Sequence, residues 1–509
     1  MLLIHPPIAK ACEPPAGLAI LAGVLRAHGL NCQVIDCNLE AQEHLIQAPA
    51  VSDDTWTRRA KKHASSNLET IRQPALYHTF SRYQRCVADL NRALNQSSQQ
   101  AAMTLSNYTD SSFSCVRSDD LLAAVEHPEQ SPFHDYFMNR LPQALEENAP
   151  QVIGISLNFM SQAVPTFAMI GLLKKIAPQL TIIVGGGLMT SWMRHPNWQN
   201  PFSGCIDHCI DGPGESALLR LLGVHLQQNR TAPPDYSVLP MERYWSPSPI
   251  LPLATSRGCY WNRCTFCPER AEQNPYQPLA VSSVVEQLQH LCSEWQPGLV
   301  HLLDNAISPA LINALIAQPL PAPWYGFARI SEQLADPDYC RALRQSGCVM
   351  IKLGVESGEN QVLESMDKGV TVELTERVLN SLKQAGIATY VYLLFGTPNE
   401  NLDAAEATRQ FICRNHDAIG FLNLAIFNLP TNSPDAQRLD LRPFYQGDLS
   451  LYSDFDHPKG WNRGEVRRFI DKRIKKQPLI AEILRRDPPQ FTSNHAAYFC
   501  SKQGWSDGR

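Results

Sequence analysis

Between residues 250 and 430 the sequence alternates apolar runs with segments of helical apolar spacing, six times over. The runs are "ILPLATS", "LVHLLDN", "WYGFARI", "VMIKLGVES", "ATYVYLLFGTP" and "GFLNLAIFNLP". Helices are expected between them at about 281–295, 337–346, 372–385 and 402–415, with a short one after the second run. Apolar strands joined by helices require a parallel sheet covered on both faces. Six βα units are too few for an eight-stranded barrel but enough for a partial one, whose active groups belong at the C-terminal strand ends. Those ends carry Asp304, Asn305, Arg329, Glu356, Ser357 and Gly396.

The same alternation opens the chain. Residues 1–37 read as strand, helix, strand, with Gly29 as the helix C-cap. Residues 42–148 are polar and read as a helical insertion, with "NQSSQQ" and "SNYTDSSFS" as loops. Alternation resumes with strands in "PQVIGISLNF" (150–159) and "TIIVGGGLMT" (181–190), separated by a helix at about 162–176. "CIDHCIDGPGESALLRLLG" and a proline-rich loop from about 225 to 250 follow. Glycines cluster at strand ends, at Gly185, Gly186 and Gly187 and again at Gly212 and Gly214. In a doubly wound sheet those ends bind ligands, and glycine lets a large one approach the backbone. Residues 463–486 repeat Val466, Phe469, Ile470 and Ile474 at helical spacing beneath a basic face, a pattern that reads as a helix packed on the barrel with its basic face in solvent, the alternative being a patch for an anionic substrate or partner. The expected organisation is α/β, with a doubly wound domain over 1–245, a partial barrel over 246–430 and a small, mainly helical region over 431–509.

The first barrel strand runs into "TSRGCYWNRCTFCPE" (255–269), where Cys259, Cys264 and Cys267 fall within nine positions. The chain's 15 cysteines are odd in number and scattered, which suits reduced thiols in a cytoplasm rather than a disulfide scaffold. A structural zinc site wants four ligands, and no second C-x-x-C pair stands near. An iron–sulfur cluster held by three thiolates keeps one iron open to a further ligand. Gly258 allows the loop to turn tightly, and Phe266 stands between the last two thiols. The net charge of −5 argues against a general nucleic-acid binder. No apolar run reaches the length that spans a bilayer. The opening "MLLIHPPIAKACEPP" lacks the pattern of a signal peptide.

The three cysteines with "CTFC", the polar rim and the six units resemble the radical S-adenosylmethionine (radical SAM) enzymes. "IKLGVESGENQVLESMDKG" (351–369) and "YLLFGTPNE" (392–400) are similar to later barrel motifs of that family. "VIGIS", "IVGGG" and "DGPGES" resemble the Rossmann-like cobalamin-binding domain that precedes many such barrels. The resemblance covers residues 1–37 and about 150–430. It implies that Cys259, Cys264 and Cys267 ligate a [4Fe–4S] cluster whose unique iron chelates SAM. It implies SAM contacts from Phe266, Asp304, Arg329, Glu356, Ser357 and Gly396. It further implies cobalamin contacts from Ser156, Leu157, Gly185, Gly186, Gly187, Gly212, Gly214 and Glu215, with a side chain at Gly186 or Gly214 expected to clash. The implied activity is methylation of an unactivated carbon in a small-molecule or peptide substrate, by a cytoplasmic enzyme fed electrons by a flavodoxin or ferredoxin. The alternative is a non-methylating radical SAM reaction such as cyclisation, rearrangement or peptide modification. Two features depart from the family pattern. The spacing here is C-x4-C-x2-C, one residue longer than the common C-x3-C-x2-C. No D-x-H-x-x-G follows the first strand, so a bound cobalt would lack a protein histidine, and His5 and His208 read as structural.

Overall fold

The computed structural model describes residues 1–224, 232–444, 446–488 and 496–500. The chain divides into two units, one built on Met1–Ser248 and the other on Pro249–Phe444 with Tyr452–Pro488 and the end of the described chain.

In the first unit, β1 (Leu2–His5) and β2 (Gln33–Asp36) flank the helix Ala16–Ala27, which ends at Gly29 with φ +71°. The insertion is helical over Cys37–Gln47, Phe80–Asn95, Ser118–Glu126 and His134–Asn148. It also holds a hairpin, β3 (Ala101–Thr104) and β4 (Asn107–Asp110), where a loop was expected. Each strand is four residues long with only one or two buried side chains, too short for a two-residue period to stand out from loop. Next come β5 (Val152–Ser156), β6 (Thr181–Gly185) and the two-residue β7 (His208–Cys209). The parallel sheet runs β2-β1-β5-β6-β7. Strand order reverses between β1 and β5, so their carboxyl ends frame the crevice where doubly wound sheets take ligands. The expected loop at 225–250 lies partly outside the described residues.

The second unit opens with β8 (Ile250–Leu253), followed by the hairpin β9 (Ser256–Arg257) and β10 (Gln277–Pro278). Then come β11 (Leu299–Leu302), β12 (Trp324–Phe327), β13 (Cys348–Glu356), β14 (Ala388–Phe395) and β15 (Phe421–Ile426). All six barrel strands are parallel, in the order β8-β11-β12-β13-β14-β15. Outward residues such as Val300, Ile351, Leu353 and Val391 pack on the surrounding helices. Inward residues Ile250, Leu299, Tyr325, Met350, Tyr390 and Phe421 close the lower lumen against Phe499.

The tail differs from the expected separate helical region in two ways. It contains a three-stranded sheet of β16 (Leu429–Pro430), β17 (Leu441–Pro443) and β18 (Tyr452–Phe455). The single helix expected over 463–486 is two, Arg463–Phe469 running into a π turn at Ile470–Ile474, then Pro478–Arg486. Pro478 has no N–H to continue the first helix but suits the first turn of the second. Val466, Phe469, Ile470, Ile474, Ile480 and Ile483 share the barrel's core, which is why the tail belongs to the same unit.

Candidate functional site

The thiol loop hangs between β9 and β10. Asp304, at the end of β11, is buried and accepts from Thr255 N at 3.1 Å and Thr255 Oγ1 at 2.8 Å, and from Ser256 Oγ. Its carboxylate therefore anchors the loop's entrance. Gly258 follows at φ +69°, where a Cβ would stand 2.6 Å from Pro275 O. Only glycine allows the two sides of the loop to approach so closely.

The far side of the loop is tied to the segment after β13. Thr265 N donates to Met366 O at 3.0 Å, and Trp261 Nε1 to Asp367 O at 3.0 Å. Arg263 pairs with Asp367 at 3.1 Å. The Trp261 ring lies under Arg329, 4.0 Å from guanidinium to centroid, and against Gly369, whose Cβ would meet it at 2.3 Å. Asn262, within the longer first spacer, adopts φ +45°. The extra residue of C-x4-C is thus taken up by a left-handed turn that seats Trp261 between the loop and the Lys368–Gly369 bend. No sequence pattern marked Trp261, whose signal was only an aromatic between two thiols.

Lys368 is the second residue that sequence reasoning missed. Its ammonium pairs with Glu356 Oε1 at 2.8 Å and lies 5.5 Å from the Phe266 ring centroid. Its carbonyl accepts from Arg329 Nη2 at 2.6 Å. Both cations act on Cys264. Burial raises the Cys264 pKa, and Lys368 and Arg329 oppose that rise. Burial pushes the Cys267 thiol up to about 11, against hydrogen bonds from Glu269 N and Arg270 N. Cys259 lies within electrostatic reach of Cys264, as does Cys264 of Cys267. Among the described residues no three such side chains converge on a single ion. Zinc would draw thiolate sulfurs to about 3.8 Å of one another. The corners of a four-iron cube hold them further apart. Three thiols on one loop, with two cations opposing the effect of burial at Cys264, fit such a cluster.

Glu356 sits at φ +65°, the left-handed region, at the end of β13. Ser357 is buried, its hydroxyl 3.3 Å from Thr408 Oγ1 and accepting from Glu359 N, so its side chain faces a helix rather than the rim. Gly396 has φ +83°, and its N–H donates to the buried carboxylate of Glu400. Phe266 is half-buried against Val362, Met366 and Ala404.

In the first unit the ends of β5 and β6 are bound together. Leu157 N donates to Gly185 O at 2.8 Å, and Gly187 N to Asn158 Oδ1 at 3.0 Å. Asn158 Nδ2 donates in turn to Ser156 O and Oγ. Gly186 has φ +105°, and a Cβ there would stand 2.5 Å from Leu157 O. Gly212 has φ +69°, and its N–H donates to Thr190 Oγ1. The expected clash at Gly214 does not hold. Gly214 begins the helix Gly214–Leu221, which also carries Glu215, and a Cβ would meet only Leu21 Cδ2 at 3.5 Å. Gly185 and Gly187 are also roomy, at 3.4 and 3.7 Å. Buried Gln162, which sequence reasoning passed over, staples the crevice. Its amide donates to Pro6 O at 2.7 Å, and its Oε1 accepts from Asn158 N and Phe159 N. His5 is buried, with its pKa lowered by burial, beside Asp36, which accepts from Tyr244 at 2.8 Å. That setting is internal.

Residues 253–412, the barrel with its thiol loop, match the model of the radical SAM superfamily. That stretch of the chain is a radical SAM domain. The chain is 23% identical over 314 residues to an uncharacterised methyltransferase, PH0819, of Pyrococcus horikoshii. That match covers 54% of this chain and 67% of the relative, whereas matches to two further curated relatives cover 33% and 26% of their lengths. Among solved structures, the radical SAM methyltransferase TsrM of Kitasatospora setae, with cobalamin and a [4Fe–4S] cluster bound, superposes with a TM-score of 0.53 at 16% identity. It covers 86% of this chain and 77% of its own. OxsB, a cobalamin-dependent SAM radical enzyme, superposes with a TM-score of 0.56 at 15% identity, over 92% of this chain and 66% of its own. At such identities the likeness is one of fold, an α/β unit followed by a radical SAM barrel. No described helix is long and apolar enough to cross a membrane.

Proposed function

We propose that the chain is a cobalamin-dependent radical SAM methyltransferase that methylates an unactivated carbon of a small molecule. The observation that carries the reading is the pairing, in one chain, of a three-thiol loop faced by Lys368 and Arg329 with a doubly wound sheet whose strand-end turn requires glycine at 186. The named functions of the structural neighbours agree with it. Cys259, Cys264 and Cys267 would hold the cluster, and Glu356 and Arg329 would meet the polar end of SAM. When bound, the reduced cluster and SAM supply a 5′-deoxyadenosyl radical, and cobalamin supplies a methyl group to the substrate carbon. The residues of the chain orient these partners. Lys368 sets Glu356, Trp261 sets Arg329, and the buried barrel floor excludes water beneath the rim. Asp304, Ser357 and Gly396 support this arrangement by shaping the turns around it. In the other unit, Ser156, Leu157, Gly185–Gly187, Gly212 and the Gly214–Glu215 helix start would line the cobalamin crevice. A flavodoxin or ferredoxin would donate the electron.

The test is direct. Anaerobically reconstituted protein should carry about four irons and turn SAM into 5′-deoxyadenosine and methionine with dithionite. It should also hold one cobalamin per chain after gel filtration. Replacing Cys259, Cys264 and Cys267 together by Ala should remove the iron. SAM cleavage without any retained cobalt would instead favour the non-methylating reading.

A further inference from the structure

Residues 463–476 carry seven cations against two carboxylates, in a chain whose net charge is −5. The apolar residues among them decide where those charges go. Val466, Phe469, Ile470 and Ile474 are buried in the barrel core, so Arg467, Arg468, Lys472 and Lys476 stand exposed, away from that stripe. The two carboxylates do not neutralise them. Glu465 caps the helix by accepting from Asn462 N at 3.0 Å, and Asp471 pairs with Lys475 at 2.8 Å. Arg473 reaches Glu406, on the helix Leu402–Arg414, at 3.6 Å. Among the described residues, Arg467, Arg468, Lys472 and Lys476 pair with no carboxylate. Core packing thus holds four uncompensated cations at the surface.

The same segment begins beside the thiol loop. Val466 sits over Gly396 at the carboxyl end of β14, 3.1 Å from where a Cβ would stand. Arg463 Nη1 donates to Phe427 O at 2.9 Å, directly beyond β15, and Phe427 N donates to Phe395 O at 2.8 Å. Phe266, between Cys264 and Cys267, packs against the apolar cluster of Phe427, Leu429 and Ala436. Packed aromatic side chains, Phe266 and Phe427, therefore link the last two thiols to the start of the basic segment. A surface of one sign attracts a partner of the other sign from a distance and orients it before contact. Here the attraction lies on the barrel unit, at the rim that carries the thiols.

We infer that residues 463–476 are the docking surface for the protein that supplies the electron, and that this partner is an acidic one-electron carrier. The reduced carrier gives up one electron and the barrel unit takes it, with no bond made or broken. Arg467, Arg468, Lys472 and Lys476 attract the carrier's carboxylates, and Val466, Phe469, Ile470 and Ile474 keep that surface rigid. The inference rests on the radical SAM reading for the need of an electron, but docking can be measured without turnover and without iron.

The probe is a purified, FMN-loaded acidic flavodoxin, titrated into the full chain by calorimetry, with cytochrome c, a basic carrier, as the comparison. The wild-type chain should bind the flavodoxin saturably, with or without iron, and should not bind cytochrome c. Raising the salt from about 50 to about 300 mM should weaken that binding by about tenfold. A triple variant, Arg467→Glu with Arg468→Glu and Lys472→Glu, should weaken it at least tenfold at low salt. Its iron content, SAM affinity and dithionite-driven SAM cleavage should match the wild type, while flavodoxin-driven cleavage falls. Gln at the same three exposed positions should give a smaller loss, and keeps the test alive if the Glu variant does not fold. No binding by the wild type, equal binding of cytochrome c, or undiminished affinity in the folded Glu variant would each overturn the inference. Tighter binding of a single-stranded DNA 20-mer than of flavodoxin would also overturn it, in favour of nucleic acid. So would an equal fall in dithionite-driven cleavage, which would assign the patch to an anionic substrate. Failure of the proposed function is read separately, from iron, cobalt and dithionite-driven SAM cleavage in the wild type.

Discussion

Glu356 is held in a backbone conformation that a β-carbon resists, at a cost of about 1–2 kcal/mol. What fixes it there is its pair with Lys368 and the bulge where β13 slips register against β14 between Gly354 and Glu356. Glu356→Gly and Glu356→Ala both remove the carboxylate, but only the first relieves the strain. In cluster-free protein the Gly variant should be about 1 kcal/mol more stable than the Ala variant by urea denaturation of the barrel unit. Both should bind SAM more weakly than wild type while retaining iron. Equal stabilities would mean that the surrounding turn, rather than residue 356, stores the strain. A second residue gives a pH signature. Burial raises the Glu400 pKa to about 7, although Gly396 N and Trp461 Nε1 donate to it. Between about pH 4.5 and 7 the folded chain keeps a proton that the unfolded chain has lost. Stability therefore falls as pH rises through that window and stays lowered above it. Glu400→Gln should stabilise the barrel by about 1–3 kcal/mol at pH 8 and by little near pH 4.5. Asp487, also raised to about 7 by burial, titrates in the same window, so the difference between wild type and variant is the quantity to follow.

At the scale of elements, the turns decide what can be replaced. Gly186→Val places a side chain into Leu157 O and strains a turn at φ +105°, so cobalamin retention should drop at least tenfold while iron is unaffected. Gly214→Ala has room and sits in the first turn of a helix, so retention should hold and stability should rise by about 0.5 kcal/mol. Cobalt per chain after gel filtration reads both, and equal loss in the two variants would remove the special status of Gly186. The glycines also show what a sequence conveys. Apolar runs of the barrel strands were legible because burial on both faces makes them continuous, as in β13 and β14. The thiol spacing was legible because it is local. A positive φ is not written in the letter G, so Gly186 and Gly214 looked alike. The hairpin β3–β4 escaped because its strands are four residues long, and the break at Pro478 escaped because the apolar period continues across it. Trp261, Gln162 and the Arg463–Phe427 bond join residues from separate segments, 36 positions apart in the last case, which no local pattern connects.

For the whole molecule, each unit has its own proposed ligand site, and hydrogen exchange can read the two one at a time. The three thiols proposed to hold the cluster lie within 259–267, and hydrogen bonds from Thr265 to Met366 O and from Trp261 to Asp367 O join that stretch to the segment after β13. A ligand that binds only the folded state stabilises it by RT ln(1 + [L]/Kd), about 2.7 kcal/mol at one hundred times Kd. For amides that exchange by opening of the bound region, this amounts to a slowing of about one hundredfold. Loading the cluster should slow exchange most at Thr265 and Cys267, whose N–H groups are bonded to Met366 O and Cys264 O, and across the adjoining β9–β10 hairpin. Stripping the iron with a chelator should reverse this and leave Leu157 and Gly187 unchanged, because their amide partners, Gly185 O and Asn158 Oδ1, lie within the other unit. Added hydroxocobalamin should do the converse, slowing Leu157, Gly187 and Gly212 in protein with or without iron. Exchange at Leu157 and Gly187 that followed iron content while ignoring cobalamin would place the cluster's influence in the wrong unit. The assignment of the glycine-bound crevice to cobalamin would then fall, while the three-thiol site would stand.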